Sequence, residues 1–308
     1  MEPDPDLLRR LDPALHPFAA ARTDLSLNTL AAVRHSLDAR RAEAIAEIDT
    51  TGVDIVDGHA AGVAVRLYRG APSPSPAVIY CHAGAFMLGN LDTDHRQCVE
   101  LARRAACTVV SIDYRLAPEH PFPAALDDAV TVLRWTWTTG PDNGLDRDRL
   151  VLAGNSAGAA LAAGLSQRAT AGQIPPIAGV LLHQPVLDDR PTASKTEFDT
   201  TPGFDGVATE AMWRHYLGDT DPCAAAVPAR SRQMIGAAST VITCSELDPL
   251  RDEALDYADR LMSAGVRTDL HVFGGTCHGF DSLCPDWEVT HTLLAMQASA
   301  LRRFFELS

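Results

Sequence analysis

Short apolar runs rich in β-branched residues alternate with longer segments of helical periodicity between about residues 60 and 275. This alternation is typical of strands joined by crossover helices. Several runs are apolar at consecutive positions, which indicates strands buried on both faces, as in a parallel sheet. The pattern therefore predicts an α/β fold with a mostly parallel, twisted sheet. The predicted strands are 63–68, 77–81, 107–112, 149–153, 179–183, 239–244 and 269–273.

Two segments between these strands carry apolar residues at spacings of three and four. Segment 124–137 follows Pro121 and Pro123, and segment 251–264 ends at Gly265, so both have the boundaries of amphipathic helices. We expect helices of this kind to cover both faces of the sheet.

Two regions interrupt the alternation. Residues 1–47 contain leucines scattered among charges and prolines, and no strand pattern. Residues 188–235 are polar and rich in turns until 211–218, where we predict one short amphipathic helix. An insertion of this length between two strands usually carries a function, often as a lid. The remaining ranges, 48–187 and 236–308, are expected to form the main domain.

Composition excludes several functions. The 308 residues carry a net charge of −14, which opposes binding to nucleic acid or to an anionic membrane. No apolar stretch approaches the roughly 18 residues of a membrane span, and the start of the chain does not have the pattern of a secretory signal. Lys195 is the only lysine and lies in a polar run, so neither Schiff-base nor P-loop chemistry is expected.

Cysteine and histidine spacing gives no sign of a metal site. The seven cysteines form no Cys-x-x-Cys pair, and the chain has no His-Glu-x-x-His motif. Cys277 and His278 are adjacent, which is a poor spacing for joint ligation. We therefore expect reduced thiols, a cytoplasmic location, and neither a metal nor another cofactor.

The strand 149–153 runs into Gly-Asn-Ser-Ala-Gly at 154–158 and then into a helical segment. In this context the motif predicts a tight strand-to-helix turn, because small flanking residues let the serine stand above the sheet edge. Ser156 is therefore a candidate nucleophile. A serine hydroxyl also needs a base within hydrogen-bond reach and a group that orients that base.

Among eleven histidines, His278 is the strongest candidate for this base. It follows the last predicted strand, so it would lie at the same carboxyl edge of the sheet as Ser156. His183 follows two leucines within a strand, and we expect it to be a hydrogen-bonded core residue.

Three acidic residues follow the strand 239–244 and could orient the base. Asp248 is favoured because Pro249 holds it in extended geometry at a strand end. Glu246 and Asp252 are alternatives, although Asp252 is expected in a first helical turn, where its charge favours the helix N-terminus. The chain order of serine, acid and histidine is that of an α/β hydrolase.

The strand 77–81 ends in a loop of small residues up to Phe86, and such a loop can present backbone N–H groups to a developing oxyanion. The N–H of Ala157 at the serine turn adds another donor. His82, at the start of the loop, is expected to pin the loop through hydrogen bonds rather than to act as the base.

Taken together, five ordered motifs resemble the hormone-sensitive-lipase-like family of bacterial esterases over about residues 50–305. The resemblance implies an α/β-hydrolase fold and a serine carboxylesterase that needs no cofactor. It also implies that 1–47 and 188–235 form a cap on the catalytic domain. The motifs are His-Ala-Gly-Ala-Phe at 82–86, Asp-Tyr-Arg-Leu-Ala-Pro-Glu at 113–119, Gly-Asn-Ser-Ala-Gly at 154–158, Asp-Pro-Leu at 248–250 and His-Gly-Phe at 278–280.

Individual roles follow from the same resemblance. It implies that Ser156 is the nucleophile, His278 the general base and acid, and Asp248 the residue that orients His278. The implied oxyanion-hole donors are the backbone N–H groups of Gly84, Ala85 and Ala157.

Two features depart from the family pattern. The family loop usually reads His-Gly-Gly-Gly, whereas Ala83 and Ala85 replace two glycines here. A left-handed backbone costs an alanine roughly 1 kcal/mol relative to glycine, so either the loop is not left-handed at those positions or activity is lowered. The family usually has an acidic residue before the serine, and Asn155 removes that charge.

We expect hydrolysis of neutral, short- to medium-chain carboxylic esters through an acyl-enzyme. An acyltransferase, a lactonase, an amidase or a lyase could use the same residues, and a non-catalytic binding protein on this scaffold is a further alternative. The expected partner is a small-molecule ester, a homo-oligomer is compatible with the sequence, and Lys195 is expected on the lid surface. The insertion residues that could line an apolar pocket are Phe198, Phe204, Met212, Trp213 and Tyr216.

Overall fold

A computed structural model describes residues 5–306, and in this range the strands form one eight-stranded sheet in the order β1-β2-β4-β3-β5-β6-β7-β8. Neighbouring strands from β4 to β8 are parallel, while β2 is antiparallel to both β1 and β4. The predicted α/β fold with a mostly parallel sheet is confirmed. The strands are β1 (Asp54–Ala60), β2 (Val63–Arg69), β3 (Ser75–Cys81), β4 (Thr108–Ile112), β5 (Leu145–Asn155), β6 (Gly179–His183), β7 (Thr240–Leu247) and β8 (Thr268–Cys277).

All seven predicted strands are present, but the edge strand β1 was not predicted. Its residues are mostly exposed or half-buried, so it lacks the apolar run that marks the central strands. It pairs with β2 through a two-residue turn at Ala61 and Gly62, whose φ angles of 50° and 93° are those of a tight hairpin turn. An edge strand held mainly by backbone pairing gives little hydrophobic signal.

Helices cover both faces of the sheet. One apolar cluster lies between the sheet and α4, α5 and α8, and a second lies between the opposite face and α3 and α10. The two helices predicted between strands correspond to α4 and α8. The helices are α1 (Pro5–Arg10), α2 (Leu27–Ile45), α3 (His95–Ala105), α4 (Ala124–Thr138), α5 (Ala157–Thr170), α6 (Ala193–Glu197), α7 (Gly206–Leu217), α8 (Arg251–Ser263), α9 (Phe280–Leu283) and α10 (Glu288–Glu306).

The helix predicted at 211–218 is longer than its apolar residues indicate. It is the second half of α7, which begins after Asp205, whose carboxylate accepts a hydrogen bond from the backbone N–H of Ala208 at 2.8 Å. This N-terminal cap extends the helix back into the polar part of the insertion. Among residues 5–306, no helix is both long and apolar enough to span a bilayer.

Lys195 does not lie on the surface, and that prediction was wrong. Its ammonium group is 2.6 Å from the carboxylate of Glu253 on α8, and the two side chains are only 10% and 0% exposed. Burial is the largest influence on Glu253 and raises the pKa of its carboxyl to about 7, while Lys195 opposes this change. Lys195 is largely buried together with Glu253 because an unpaired buried charge is costly.

Candidate active site

Ser156 lies in the tight turn between β5 and α5, with φ 56° and ψ −116°. Its backbone N–H donates to the carbonyl of His183 at 2.8 Å, which holds the turn to β6. A Cβ on Gly158 would overlap the backbone carbonyl of Cys81, and one on Gly154 would overlap that of Gly158. Both glycines are therefore required by close backbone approach, and the strained serine stands at the carboxyl edge of the sheet.

Two consecutive hydrogen bonds connect Ser156 to a buried acid. His278 Nε2 lies 2.9 Å from Ser156 Oγ, and His278 Nδ1 lies 2.8 Å from Asp248 Oδ2. Asp248 is fully buried, and its other oxygen accepts from the backbone N–H of Leu250 at 2.8 Å. A neutral imidazole that donates from Nδ1 to the carboxylate presents a free lone pair at Nε2, which can accept the serine proton.

The structure distinguishes between the three acids after β7, because only Asp248 contacts His278. Glu246 accepts from the backbone N–H of Gly275 at 2.9 Å and contacts Arg10. Asp252 lies in the first turn of α8 and accepts from the backbone N–H of Ser194 at 2.8 Å. Both alternatives thus serve local structure.

The loop after β3 has a left-handed backbone over three residues. The φ angles are 137° at Gly84, 54° at Ala85 and 57° at Phe86, whereas Ala83 is not left-handed. Of the two explanations offered for the alanines, the first is correct for Ala83 and wrong for Ala85, which adopts the conformation that is costly for a side chain. The N–H groups of Gly84 and Ala85 find no acceptor within residues 5–306.

His82 is buried beside this loop and stacks on Tyr114, with ring centroids 4.2 Å apart. Its Nδ1 lies 2.7 Å from the carbonyl oxygen of Ala83, so Nδ1 carries the proton of this hydrogen bond. Tyr114 donates its hydroxyl to the carbonyl of His82 at 2.8 Å. Burial lowers the pKa of His82 to about 4, which keeps the ring neutral at ordinary pH.

His183 lies in the core, as the sequence predicted. It is 1% exposed, its Nδ1 is 2.9 Å from Thr243 Oγ1, and its Nε2 is 3.3 Å from a carboxylate oxygen of Asp281. Both ring nitrogens therefore have partners, and the ring is not available to Ser156.

Comparison with known proteins agrees with this geometry. A family profile described as alpha/beta hydrolase fold matches residues 78–282. Esterase LipI of Mycobacterium tuberculosis is 37% identical over 286 residues, which cover 90% of this chain and 87% of the relative. The ethyl acetate hydrolase of Pseudomonas putida is 32% identical and covers 80% of each chain. The chain is an α/β hydrolase of the hormone-sensitive-lipase-like esterase family.

Solved structures show the same relationship for the whole hydrolase. The crystal structure of esterase LipW from Mycobacterium marinum has a TM-score of 0.96 and 54% identity, and covers 98% of each chain. A bacterial heroin esterase has a TM-score of 0.91 and 32% identity, and covers 96% of this chain and 98% of its own. This α/β hydrolase is therefore a carboxylic-ester hydrolase.

Of the insertion residues suggested for the hydrolase pocket, Phe204 comes closest to His278, with ring centroids 5.0 Å apart. Phe198 instead packs into a core cluster between the guanidinium groups of Arg10 and Arg251. The remaining three are buried, and Tyr216 stacks on Phe86 of the loop after β3, with ring centroids 3.7 Å apart. The buried insertion residues are Met212, Trp213 and Tyr216.

A cavity of about 1100 Å³ lies between α2 and the body of the hydrolase. Its wall includes Ala83 of the loop after β3, Asp94 and Gly203 of the insertion. The lining does not include Ser156, Asp248 or His278, although a Cβ on Gly203 would be 3.3 Å from the carbonyl of His278. Within residues 5–306, no three histidine, cysteine or acidic side chains are grouped so that they could hold a metal ion.

Sequence reasoning missed one buried group in this site. The carboxylate of Asp94 accepts from the backbone N–H of Ala83 at 2.8 Å, in the loop after β3. In the sequence, Asp94 precedes a helix, and an aspartate in that position predicts a helix cap. No local pattern indicates that its side chain turns toward the loop instead.

Proposed function

We propose that this esterase hydrolyses neutral carboxylic esters of short to medium chain length, with Ser156 as nucleophile, His278 as general base and acid, and Asp248 as the orienting carboxylate. The observation that carries the proposal is the pair of hydrogen bonds, 2.9 Å and 2.8 Å long, from Ser156 through His278 to Asp248. Distances of this length are those required between nucleophile, base and orienting group.

The reaction would proceed in two acyl transfers. Ser156 Oγ attacks the ester carbonyl carbon while its proton passes to His278 Nε2, and the tetrahedral intermediate collapses when His278 returns that proton to the leaving alcohol oxygen. Water then attacks the acyl-enzyme by the same route and releases the carboxylic acid. Asp248 holds the imidazole in the required tautomer and stabilises the transient imidazolium.

The oxyanion would be bound by backbone N–H groups of the left-handed loop and of the serine turn. The Ala83 carbonyl is held by His82, and in a trans peptide the following N–H points the opposite way, so the Gly84 N–H is directed away from the His82 ring. Preorganised donors of this kind are usually a large contribution to acyl-transfer catalysis. The proposed donors are the N–H groups of Gly84, Ala85 and Ala157.

We also propose that residues 1–47 and 188–235 form a cap that limits substrate size. The two segments contact each other: Gly203 donates its N–H to the carbonyl of Ala21 at 3.1 Å, and Thr23 donates to the carbonyl of Gly203 at 2.5 Å. With Phe204 against His278, this arrangement supports an apolar acyl pocket for chains up to about eight carbons. The similarity to an ethyl acetate hydrolase supports a short acyl group.

The test is a set of p-nitrophenyl esters of increasing acyl length, with Ser156→Ala as the blank and Ser166→Ala as a matched control. Ser166 is also buried on α5 but lies at its far end, so its loss should leave turnover within about 2-fold. Ser156→Ala is expected to lower kcat by about 10⁴-fold or more and to abolish labelling by a fluorophosphonate.

Turnover by Ser156→Ala at the level of the control would contradict the assignment of the nucleophile. A maximum of kcat/KM beyond about eight carbons would contradict the size limit. If an added alcohol receives the acyl group in preference to water, the enzyme is an acyltransferase that uses the same residues.

A further inference from the structure

A buried carboxylate outside the proposed triad joins the oxyanion loop to the serine turn. Asp94 is 6% exposed, and one of its oxygens accepts from the N–H of Ala83 at 2.8 Å and from the hydroxyl of Tyr80 at 3.2 Å. Its other oxygen accepts from the side-chain amide of Asn155 at 3.4 Å. Asn155 directly precedes Ser156, so a single side chain contacts both halves of the proposed machinery.

The position of Asp94 in the chain predicts that its side chain caps α3. Asp94 is the residue immediately before α3, where an aspartate normally accepts from the first N–H groups of the helix. Here the side chain makes no such bond. All its hydrogen bonds go instead to β3, to the oxyanion loop and to the serine turn.

We propose that Asp94 is a positioning residue for ester hydrolysis, which clamps the oxyanion loop to the serine turn, and that Asn155 is the donor matched to it. This inference rests on the proposed function. Asp94 holds the N–H of Ala83 while His82 holds the carbonyl of the same residue, so both peptide groups of Ala83 are fixed, and the second of them carries the Gly84 N–H.

The left-handed conformation of Ala85 shows why such a clamp is needed. A non-glycine residue in this region persists only where its surroundings hold it there, and Phe86 beside it is also left-handed. Loss of these hydrogen bonds should let the loop relax and move its N–H groups away from the oxyanion.

The contact between Asp94 and Asn155 also explains why position 155 is an asparagine. The family usually has an acidic residue before the serine, and a carboxylate there would lie against Asp94 at the present 3.4 Å contact. Two buried carboxylates at this separation cannot both ionise without strong repulsion. An asparagine supplies an N–H donor to the same oxygen and removes the conflict.

Position 155 offers a sharp test. Asn155→Asp should lower kcat for p-nitrophenyl acetate by about 10-fold or more, with KM within about 3-fold, because the loop donors act mainly on the transition state. The double variant Asp94→Asn/Asn155→Asp places the carboxylate on the other side of the same contact. It again gives an acceptor to the N–H of Ala83 and a donor–acceptor pair between positions 94 and 155, so its kcat should return to within about 3-fold of the wild type.

Asp94→Ala removes all three acceptor contacts. It should also lower kcat by about 10-fold, again with KM within about 3-fold. Asp128→Asn is the matched control, because Asp128 is 7% exposed and also accepts from a backbone N–H, that of Arg115 at 2.9 Å, on α4. This control should keep kcat within about 2-fold even if its melting temperature falls.

Four outcomes separate the possible failures. Asn155→Asp with the wild-type kcat would overturn the proposal, as would a double variant no better than Asn155→Asp while its melting temperature matches the wild type. If Asp94→Ala does not fold, the rescue in the double variant still decides the question. Absence of hydrolysis by the wild-type protein would refute the proposed function itself, and the wild-type assay alone gives this result.

Discussion

His82 lies beside the proposed oxyanion loop, and its burial predicts that the stability of the chain depends on pH. The ring stacks on Tyr114 and donates from Nδ1 to the Ala83 carbonyl, while its Nε2 is buried and has no partner within residues 5–306. A second proton on Nε2 would therefore be a buried, unpaired charge. Desolvation is the largest cause of the lowered pKa, and the nearby Arg41 charge adds to it.

This environment predicts a pH dependence of stability. The pKa of His82 is about 4 in the folded chain, below its ordinary value of 6.5, so the unfolded chain binds one more proton between these values. Stability is therefore lost as the pH falls from 6.5 toward 4, with a slope of about 1.4 kcal/mol per pH unit from this residue. Above 6.5, both states are neutral and the contribution no longer changes.

His82→Asn keeps an N–H donor near the Ala83 carbonyl but does not titrate. Between pH 7 and pH 4, we expect the free energy of unfolding, measured in urea, to fall less steeply with decreasing pH in this variant than in the wild type. The difference between the two slopes should correspond to about one bound proton. Parallel curves for the two proteins would show that His82 does not carry this dependence.

At the scale of elements, α2 is attached to the body mainly by polar contacts. Among its 19 residues only Leu30 is buried. Arg34, one turn further on, donates to the carbonyls of Met87 and Ala117 at 2.7 and 2.8 Å and to both carboxylate oxygens of Glu119. Met87 immediately follows the left-handed loop, so this arginine connects α2 to the proposed oxyanion hole. Val33 and Leu37 pack against the core beside Leu30, so the hydrogen bonds of Arg34 add to a short apolar row on α2.

Arg34→Met should therefore loosen α2. We expect the free energy of unfolding to fall by about 2 kcal/mol, because two carbonyls and a carboxylate lose a charged donor, and kcat/KM for p-nitrophenyl butyrate to fall by about 10-fold. Arg9→Met on α1 is the control, since within residues 5–306 Arg9 pairs only with Asp6 at an exposed site, and the substitution should change either quantity little. Equal effects of the two substitutions would contradict this attachment.

At the scale of the whole molecule, the net charge of −14 sets the response to charged substrates. A protein of this charge repels an anion that diffuses toward it, and salt weakens the repulsion. A neutral ester experiences no such effect. We therefore expect the charge to influence which esters arrive, and the proposed acyl pocket to determine which of them react.

The prediction compares phenyl acetate with its anionic analogue 4-acetoxybenzoate. On raising the ionic strength from about 0.01 M to about 0.15 M, kcat/KM for the anion should rise several-fold, while kcat/KM for the neutral ester should change by less than about 1.5-fold. An equal response of the two substrates would show that the net charge does not affect substrate encounter.

Features of short range in the chain were predictable. The buried strands, α4 and α8 follow from periodicity, and the serine turn follows from the two glycines that its close backbone approach requires. The edge strand β1 was missed because its residues face water, and the full length of α7 was missed because Asp205, a polar cap, begins it. Hydrophobic patterns indicate which residues are buried. They therefore do not predict elements that are held by backbone pairing or by helix caps.

The sequence by itself determined the fold class, the serine turn and the order of the candidate chemical groups, because these depend on neighbours a few residues apart. Only the tertiary structure decided which of Glu246, Asp248 and Asp252 reaches His278, because that histidine is 30 residues beyond Asp248. It also decided that Asp94 meets Asn155 across 61 residues of chain. Contacts between distant residues depend on how strands and helices pack, and no local pattern encodes that packing.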